Sequence, residues 1–116
     1  MNSQQTYLAK GEFSIKSVRF RRALLSDFDA ILAFGDHYEG RDYFWALYEE
    51  FLADPDNLCV VALMEDTVVG YGMTSLIDGG LSAVARCARV DPKFRRRGIF
   101  VAILDELEKY TMLVQL

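Results

Sequence analysis

The chain has 116 residues, of which 52% are hydrophobic, enough for one core in one small domain and too few for two. Its 17 acidic residues outnumber 13 basic ones, and the formal net charge of −4 argues against a broad nucleic-acid-binding surface. No apolar run approaches the roughly 20 residues of a membrane span, and the polar start "MNSQQTYLAKGEFSIKS" is unlike a secretory leader. The expectation is therefore a cytoplasmic chain with no membrane partner.

Residues 1–17 form a polar arm of the composition expected for a poorly ordered segment, and 18–116 are expected to make a single domain. In "SVRFRRALL", Val18, Phe20 and Arg22 alternate with Arg19 and Arg21, which predicts a first strand. Ser26 is the expected N-cap of the next helix, with Asp27 and Asp29 at its positive end. Phe28, Ile31, Leu32 and Gly35 mark the buried face of that helix, which should end by Tyr38. After "HYEGRD", Phe44, Leu47, Tyr48, Phe51 and Leu52 recur at helical spacing and predict a second helix, from near Asp42 to the stop at Pro55.

From Leu58 the period shortens. "LCVVALM" and "TVVGYGMTSLI" predict two strands joined by a tight turn at Glu65 and Asp66, and Asp78 to Gly80 make the next turn. "LSAVARCARV" predicts a further strand, in which Leu81, Ala83, Ala85, Cys87 and Arg89 alternate with Ser82, Val84, Arg86, Ala88 and Val90. On that pattern Arg86 and Arg89 lie on opposite faces. The order strand, helix, helix, three antiparallel strands, basic loop, helix is an α+β arrangement with helices packed on a sheet. Cys59 and Cys87 fall inside strands without zinc-ligand or CxxC spacing and are expected to be buried thiols. With His37 the lone histidine, no metal is expected, and His37 itself fits a residue capping or flanking the first helix.

The stretch "VDPKFRRRGIFVAILDELEKY" concentrates basic charge in an acidic chain. Gly98 can take backbone angles closed to other residues, and the first amides of the following helix lack intrahelical acceptors. With Lys93, Arg95, Arg96 and Arg97 beside that helix end, the pattern suits a phosphate or pyrophosphate. Taken alone, the arginines read as a solvated basic turn, and the strand–loop–helix context is what favours the anion site. No Lys-Ser or Lys-Thr follows Gly98 and no G-x-G-x-x-G occurs, so nucleoside-triphosphate hydrolysis and dinucleotide redox chemistry lose support. RNA binding through the same loop is opposed by the acidic balance.

Strand, "VDPKFRRRGIF" and helix together resemble the acetyl-CoA signature of the GNAT superfamily of N-acetyltransferases, R/Q-x-x-G-x-G/A, with Arg95 and Gly98 on its fixed positions. "DYFWALYEEFLADPDNLCVVALMEDTVVGYGMTSLIDGG" resembles the histidine N-acetyltransferase branch, and the likeness covers residues 18–110. The resemblance implies a GNAT-type mixed sheet and transfer of an acetyl group from acetyl-CoA to a primary amine of a small molecule, with histidine the acceptor that the branch implies. Backbone groups of Ala88, Arg89 and Val90 would hold the pantetheine arm and supply an oxyanion donor. Amides of Arg96, Arg97, Gly98, Ile99, Phe100 and Val101 would cradle the pyrophosphate, and Lys93 or Arg95 would reach the 3′-phosphate.

The family has glycine or alanine where Phe100 stands and commonly glycine where Arg96 stands. The Phe100 ring either crowds the pyrophosphate or turns inward with Ile103, Leu104 and Leu107. The histidine branch has a glutamate base where this chain has Arg86, and the family's proton-donating tyrosine lies on a later helix, beyond "TMLVQL". No catalytic side chain is assigned. On this resemblance the chain reads as a truncated domain without the C-terminal strands, whose last strand exposes an edge open to self-association. The alternative is a non-catalytic acetyl-CoA-binding or protein-interaction module of the same fold.

Other side chains carry bland readings first: Glu39, Asp42 and Asp78 as turn or cap residues, and Phe44, Trp45 and Tyr48 as core residues, with Tyr43 or Trp45 in a secondary role lining an acceptor pocket. Arg86 or Arg89 can pair with the carboxylate of an amino-acid acceptor, although a cross-strand ion pair is simpler.

Overall fold

The structure, a computed structural model, describes residues 17–35 and 44–115, without the side chains of 44, 45 and 111–115. Expectations on His37, Tyr38, Glu39, Asp42 and Tyr43, on the Trp45 side chain and on residues 1–16 of the polar arm lie outside what is described.

Strands β1 (Val18–Arg22), β2 (Asn57–Met64), β3 (Thr67–Ile77) and β4 (Ser82–Val90) form one sheet in the order β1-β2-β3-β4, with every neighbouring pair antiparallel. Between β1 and β2 run α1 (Phe28–Leu32), preceded by a 3-10 turn over Leu25–Asp27, and α2 (Phe44–Ala53); α3 (Ile99–Gln115) follows β4. This is the α+β order expected from the change of hydrophobic period.

The sheet is covered on both faces. Ile31, Phe34, Tyr48, Cys59, Val61, Leu63, Tyr71 and Met73 build one core under α1 and α2. Leu58, Val60, Ala62, Val69, Val90, Ile99, Ile103 and Leu107 build the other under α3. β2 is central and buried along nearly its whole length, which explains why "LCVVAL" is a continuous apolar run and not an alternating one. Close approach of α3 depends on Gly70 and Gly72. A Cβ at Gly70 would stand 2.9 Å from Ile103 Cδ1, and one at Gly72 would overlap the Ile103 side chain.

Two irregularities alter the register. Between β2 and β3, Ala62 faces Gly70 and Leu63 faces Val68, which leaves Val69 as an extra residue. Between β3 and β4, Met73 faces Cys87 and Thr74 faces Ala85, which leaves Arg86 as an extra residue.

The first helical segment departs from expectation in two ways. Ser26 is not an N-cap; it lies within the 3-10 turn, where no side-chain cap bond forms. Asp27 organises this turn instead. Its buried carboxylate accepts the Leu24 N–H at 2.7 Å and both arms of the Arg21 guanidinium at 2.8 and 2.9 Å. The Arg21 bonds hold the Asp27 carboxyl below its usual range against the opposing effect of burial. Tyr48 donates to the Leu24 carbonyl at 2.8 Å and ties α2 to the same turn. Because α1 is only five residues long, Phe34 from the turn beyond it fills the core, whereas Leu32 is exposed.

Candidate functional site

β4 is the edge of the described sheet, and its last residues are the first part of the site. Asp91 N–H donates to the Val69 carbonyl at 2.9 Å, just past the strand end. Backbone groups alternate along a strand, so Arg89 turns its N–H and C=O toward β3, while Ala88 and Val90 turn theirs to the open side. The side chains of Ala88 and Val90 join the core beneath α3. An extended ligand can therefore meet this edge as another strand would.

The second part is the loop between β4 and α3. Asp91 Oδ1 accepts the Lys93 N–H at 3.0 Å and caps a 3-10 turn over Pro92–Phe94, and Phe94 N–H returns to the Asp91 carbonyl at 2.8 Å. Two left-handed residues follow: Arg96 at φ 65° and Gly98 at φ 86°, with Arg97 between them outside that region. Alternating hand along successive residues turns backbone N–H groups into one concavity, the geometry that receives anions. Gly98 then opens α3. Its carbonyl accepts the first intrahelical bond, from Ala102 N–H at 3.0 Å, so the amides of Ile99, Phe100 and Val101 precede any intrahelical acceptor.

The side chains of Lys93, Arg95, Arg96 and Arg97 are exposed around this helix end, and the Arg97 guanidinium lies 5.9 Å from the Phe94 ring centroid. Ile99, Ile103 and Leu107 recur every four residues and take the sheet face of α3. Phe100 consequently does not turn inward: its side chain faces solvent with 49% exposure, next to Val101 at 60%. The loop thus presents backbone donors, exposed cations and one exposed ring at the same helix end.

The extra residue in β4 changes where its arginines point. Arg86 and Arg89 do not occupy opposite faces, because the bulge interrupts the alternation between them. Arg89 is buried opposite Tyr71, on the α1–α2 face. The Arg86 guanidinium sits 5.8 Å from the ring centroid of Phe51, which packs against the core of that same face. Nothing in the residue alternation announces a bulge; only the paired register does.

Groups that could exchange protons lie beneath the same face. Burial pushes the Tyr48 and Tyr71 phenols and the Cys59 thiol up, and the Tyr71 hydroxyl lies against Cys59, so these groups stay neutral at ordinary pH. Cys59 and Cys87 are both free thiols; Cys59 is buried as expected and Cys87 is half-buried. β4 carries no Asp or Glu, and Asp78 stands exposed in the β3–β4 turn at φ 54°, as a turn residue. Among the described residues no three His, Cys, Asp or Glu side chains cluster as metal ligands.

The profile of the acetyltransferase (GNAT) family matches residues 19–114, a span that runs from β1 into the last turn of α3 and includes the whole site. The chain belongs to the acetyltransferase (GNAT) family.

Among individual relatives, histidine N-acetyltransferase of Xenopus tropicalis is 31% identical over 90 residues, which cover 77% of this chain and 26% of the relative. Human "Probable N-acetyltransferase 16" is 32% identical over 74 residues, covering 63% of this chain and 20% of the relative. The chain thus spans about a quarter or less of the length of these curated relatives. The GNAT fold is also seen in solved structures. Ard1 from Thermoplasma volcanium superposes with a TM-score of 0.73 at 19% identity over 86% of this chain and 67% of that one. The PaiA N-acetyltransferase from Thermoplasma acidophilum, in complex with coenzyme A, superposes with a TM-score of 0.67 at 16% identity over 83% and 72%. At such identities the GNAT likeness concerns the fold alone.

Proposed function

We propose that this chain binds acetyl-CoA along the open side of β4 and at the start of α3, and that it transfers the acetyl group to the primary amine of a small molecule. Histidine is the acceptor favoured by the name of the Xenopus tropicalis relative. The observation that carries the reading is Arg96 held at φ 65° two residues before Gly98. A side chain held in the left-handed region costs on the order of 1–2 kcal/mol, and retaining that cost in an exposed loop is accounted for by aiming N–H groups at an anion.

In this reading the backbone of Ala88 and Val90 pairs with the amides of the pantetheine arm, the amides of Arg96 to Val101 receive the pyrophosphate, and Lys93 or Arg95 meets the 3′-phosphate. The Phe100 amide precedes the first intrahelical bond and is available at the helix end, and its exposed ring stands beside the position the pyrophosphate would take. The amine nitrogen bonds to the thioester carbon, the C–S bond breaks, and the proton lost by nitrogen balances the one taken by the departing thiolate. A backbone N–H of the β4 edge faces the carbonyl oxygen while it is negative. Calorimetric titration with acetyl-CoA tests the site: saturable binding is expected, and Gly98→Asp should abolish it by adding bulk and negative charge. Unchanged affinity in that variant overturns the assignment.

A second reading, acetyl-CoA binding without turnover, is favoured by one observation: the strand that would carry a carboxylate base has Arg86 and no acidic residue. Release of CoA thiol in the presence of amines decides between the two. Among the described residues no helix is long and apolar enough to cross a membrane, and the cytosol is the location we assign in this reading. Self-association through the open β4 edge is a competing use of the same backbone groups, and a monomer at every concentration in sedimentation would remove it.

A further inference from the structure

Arg86 is set apart by three observations. It is the residue inserted by the β4 bulge, its guanidinium is laid against the Phe51 ring, and it is exposed on a face that already holds the buried Arg89. The planar N–H fork of an arginine can grip a carboxylate through two bonds. Among the described residues no carboxylate pairs with Arg86. In a chain of net charge −4, Arg86 places an exposed positive charge on this face.

The position matters because α3 covers the Ala88 and Val90 side of β4. On the other face Arg86 is exposed, two residues along the strand from Ala88, and an acceptor at the β4 edge can reach it there. We propose, resting on the acetyl-transfer reading above, that Arg86 is a specificity-determining residue that receives the carboxylate of an acceptor carrying both an amine and an acid, the class of the α-amino acids. The same charge repels acceptors with several positive charges.

The test compares each α-amino acid with its methyl ester, which removes the negative charge, in a thiol-release assay at saturating acetyl-CoA, with rates expressed per unprotonated amine because esterification lowers the amine pKa. Wild type should use the acid at least tenfold better in kcat/KM, mainly through KM; Arg86→Gln should use acid and ester alike, and Arg86→Lys should recover part of the preference. Equal use of acid and ester by wild type, or a preference that survives in Arg86→Gln, overturns the proposal. A parallel titration compares an N-acetyl amino acid with its carboxamide in the presence of CoA, and so keeps the question open to measurement without turnover. Tighter binding of the acid, lost in Arg86→Gln, supports the role of Arg86 even where thiol release fails for every amine, an outcome that would overturn acetyl transfer itself. Equal binding of acid and amide overturns the role of Arg86.

Discussion

The two faces of the sheet both carry packed helices, over opposite chemistry. Under α3 the contacts are Ile99, Ile103 and Leu107 against Val60, Ala62 and Val69, with Gly70 and Gly72 letting the helix sit directly on β3. Under α1 and α2 the core includes Tyr48, Tyr71 and Cys59, with the Arg21–Asp27 pair tying down its margin and Arg86 and Arg89 along β4. An apolar, closely fitted face fixes the position of a helix N-terminus, because an interior packed to crystal-like density does not deform gradually. A face with polar groups is held partly by hydrogen bonds and gains charge with which to select a ligand. In the proposed reading the apolar face carries the loop assigned to the donor, and the polar face carries the residues assigned to the acceptor.

The strongest way to break that contrast is to fill the α3 contact. Gly72→Val puts a branched side chain where even a Cβ overlaps Ile103. A loss of about 3 kcal/mol is expected from such overpacking, together with weaker acetyl-CoA binding because α3 is pushed off the sheet. A denaturant midpoint equal to wild type would show that α3 adapts, and would end the claim that this face fixes its position.

A smaller effect is expected on the other face. Asp27→Asn keeps the Leu24 contact and loses the charge opposite Arg21, whose side chain is 39% exposed. Allowing for that exposure, about 1 kcal/mol is expected at neutral pH. The sign of the pH dependence follows from a carboxyl whose folded pKa is lowered: its stabilisation is complete above its unfolded value near 3.9 and is lost as pH falls through the still lower folded value. Wild type should therefore lose stability more steeply than the variant below about pH 4, read from unfolding midpoints across that range. Parallel curves would show that Asp27 is not held low by Arg21.

The smallest expected effect lies in the loop that joins the two faces. Arg96→Gly relieves a left-handed side-chain conformation and should raise stability by a few tenths to about 1 kcal/mol. Acetyl-CoA should still bind, since the backbone donors remain, with some loss from the missing charge. A fall in stability would mean that the Arg96 side chain makes up for its strained backbone.

Much of this architecture is legible one residue at a time. Leu47, Tyr48, Phe51 and Leu52 repeat at helical spacing and form the buried side of α2; Glu65 and Asp66 close a hairpin, with Glu65 at φ 57°. The isolation of Gly98 between a basic run and an amphipathic segment marks the start of α3. Such features depend on local sterics and on a period of 2 or 3.6, which any window of the chain displays. The role of Asp27 is harder to read. As the residue after Ser26 it fits a helix dipole, and only the return of β1 beside it shows a carboxylate gripped by Arg21. Leu32 and Phe34 both suit the core, and the early end of α1 decides in favour of Phe34.

The amino-acid sequence by itself determined the order of the elements, the two apolar sets that became two cores, and the loop whose glycine opens the last helix, because each is written in short-range periodicity and backbone freedom. The tertiary structure alone decided that Val69 and Arg86 are extra residues in their ladders, that Arg86 shares a face with Arg89, and that Phe100 stands in solvent. Those outcomes depend on which strand lies opposite and which side of α3 meets the sheet. A single residue of register reverses the face of every side chain beyond it, and no local pattern records that choice.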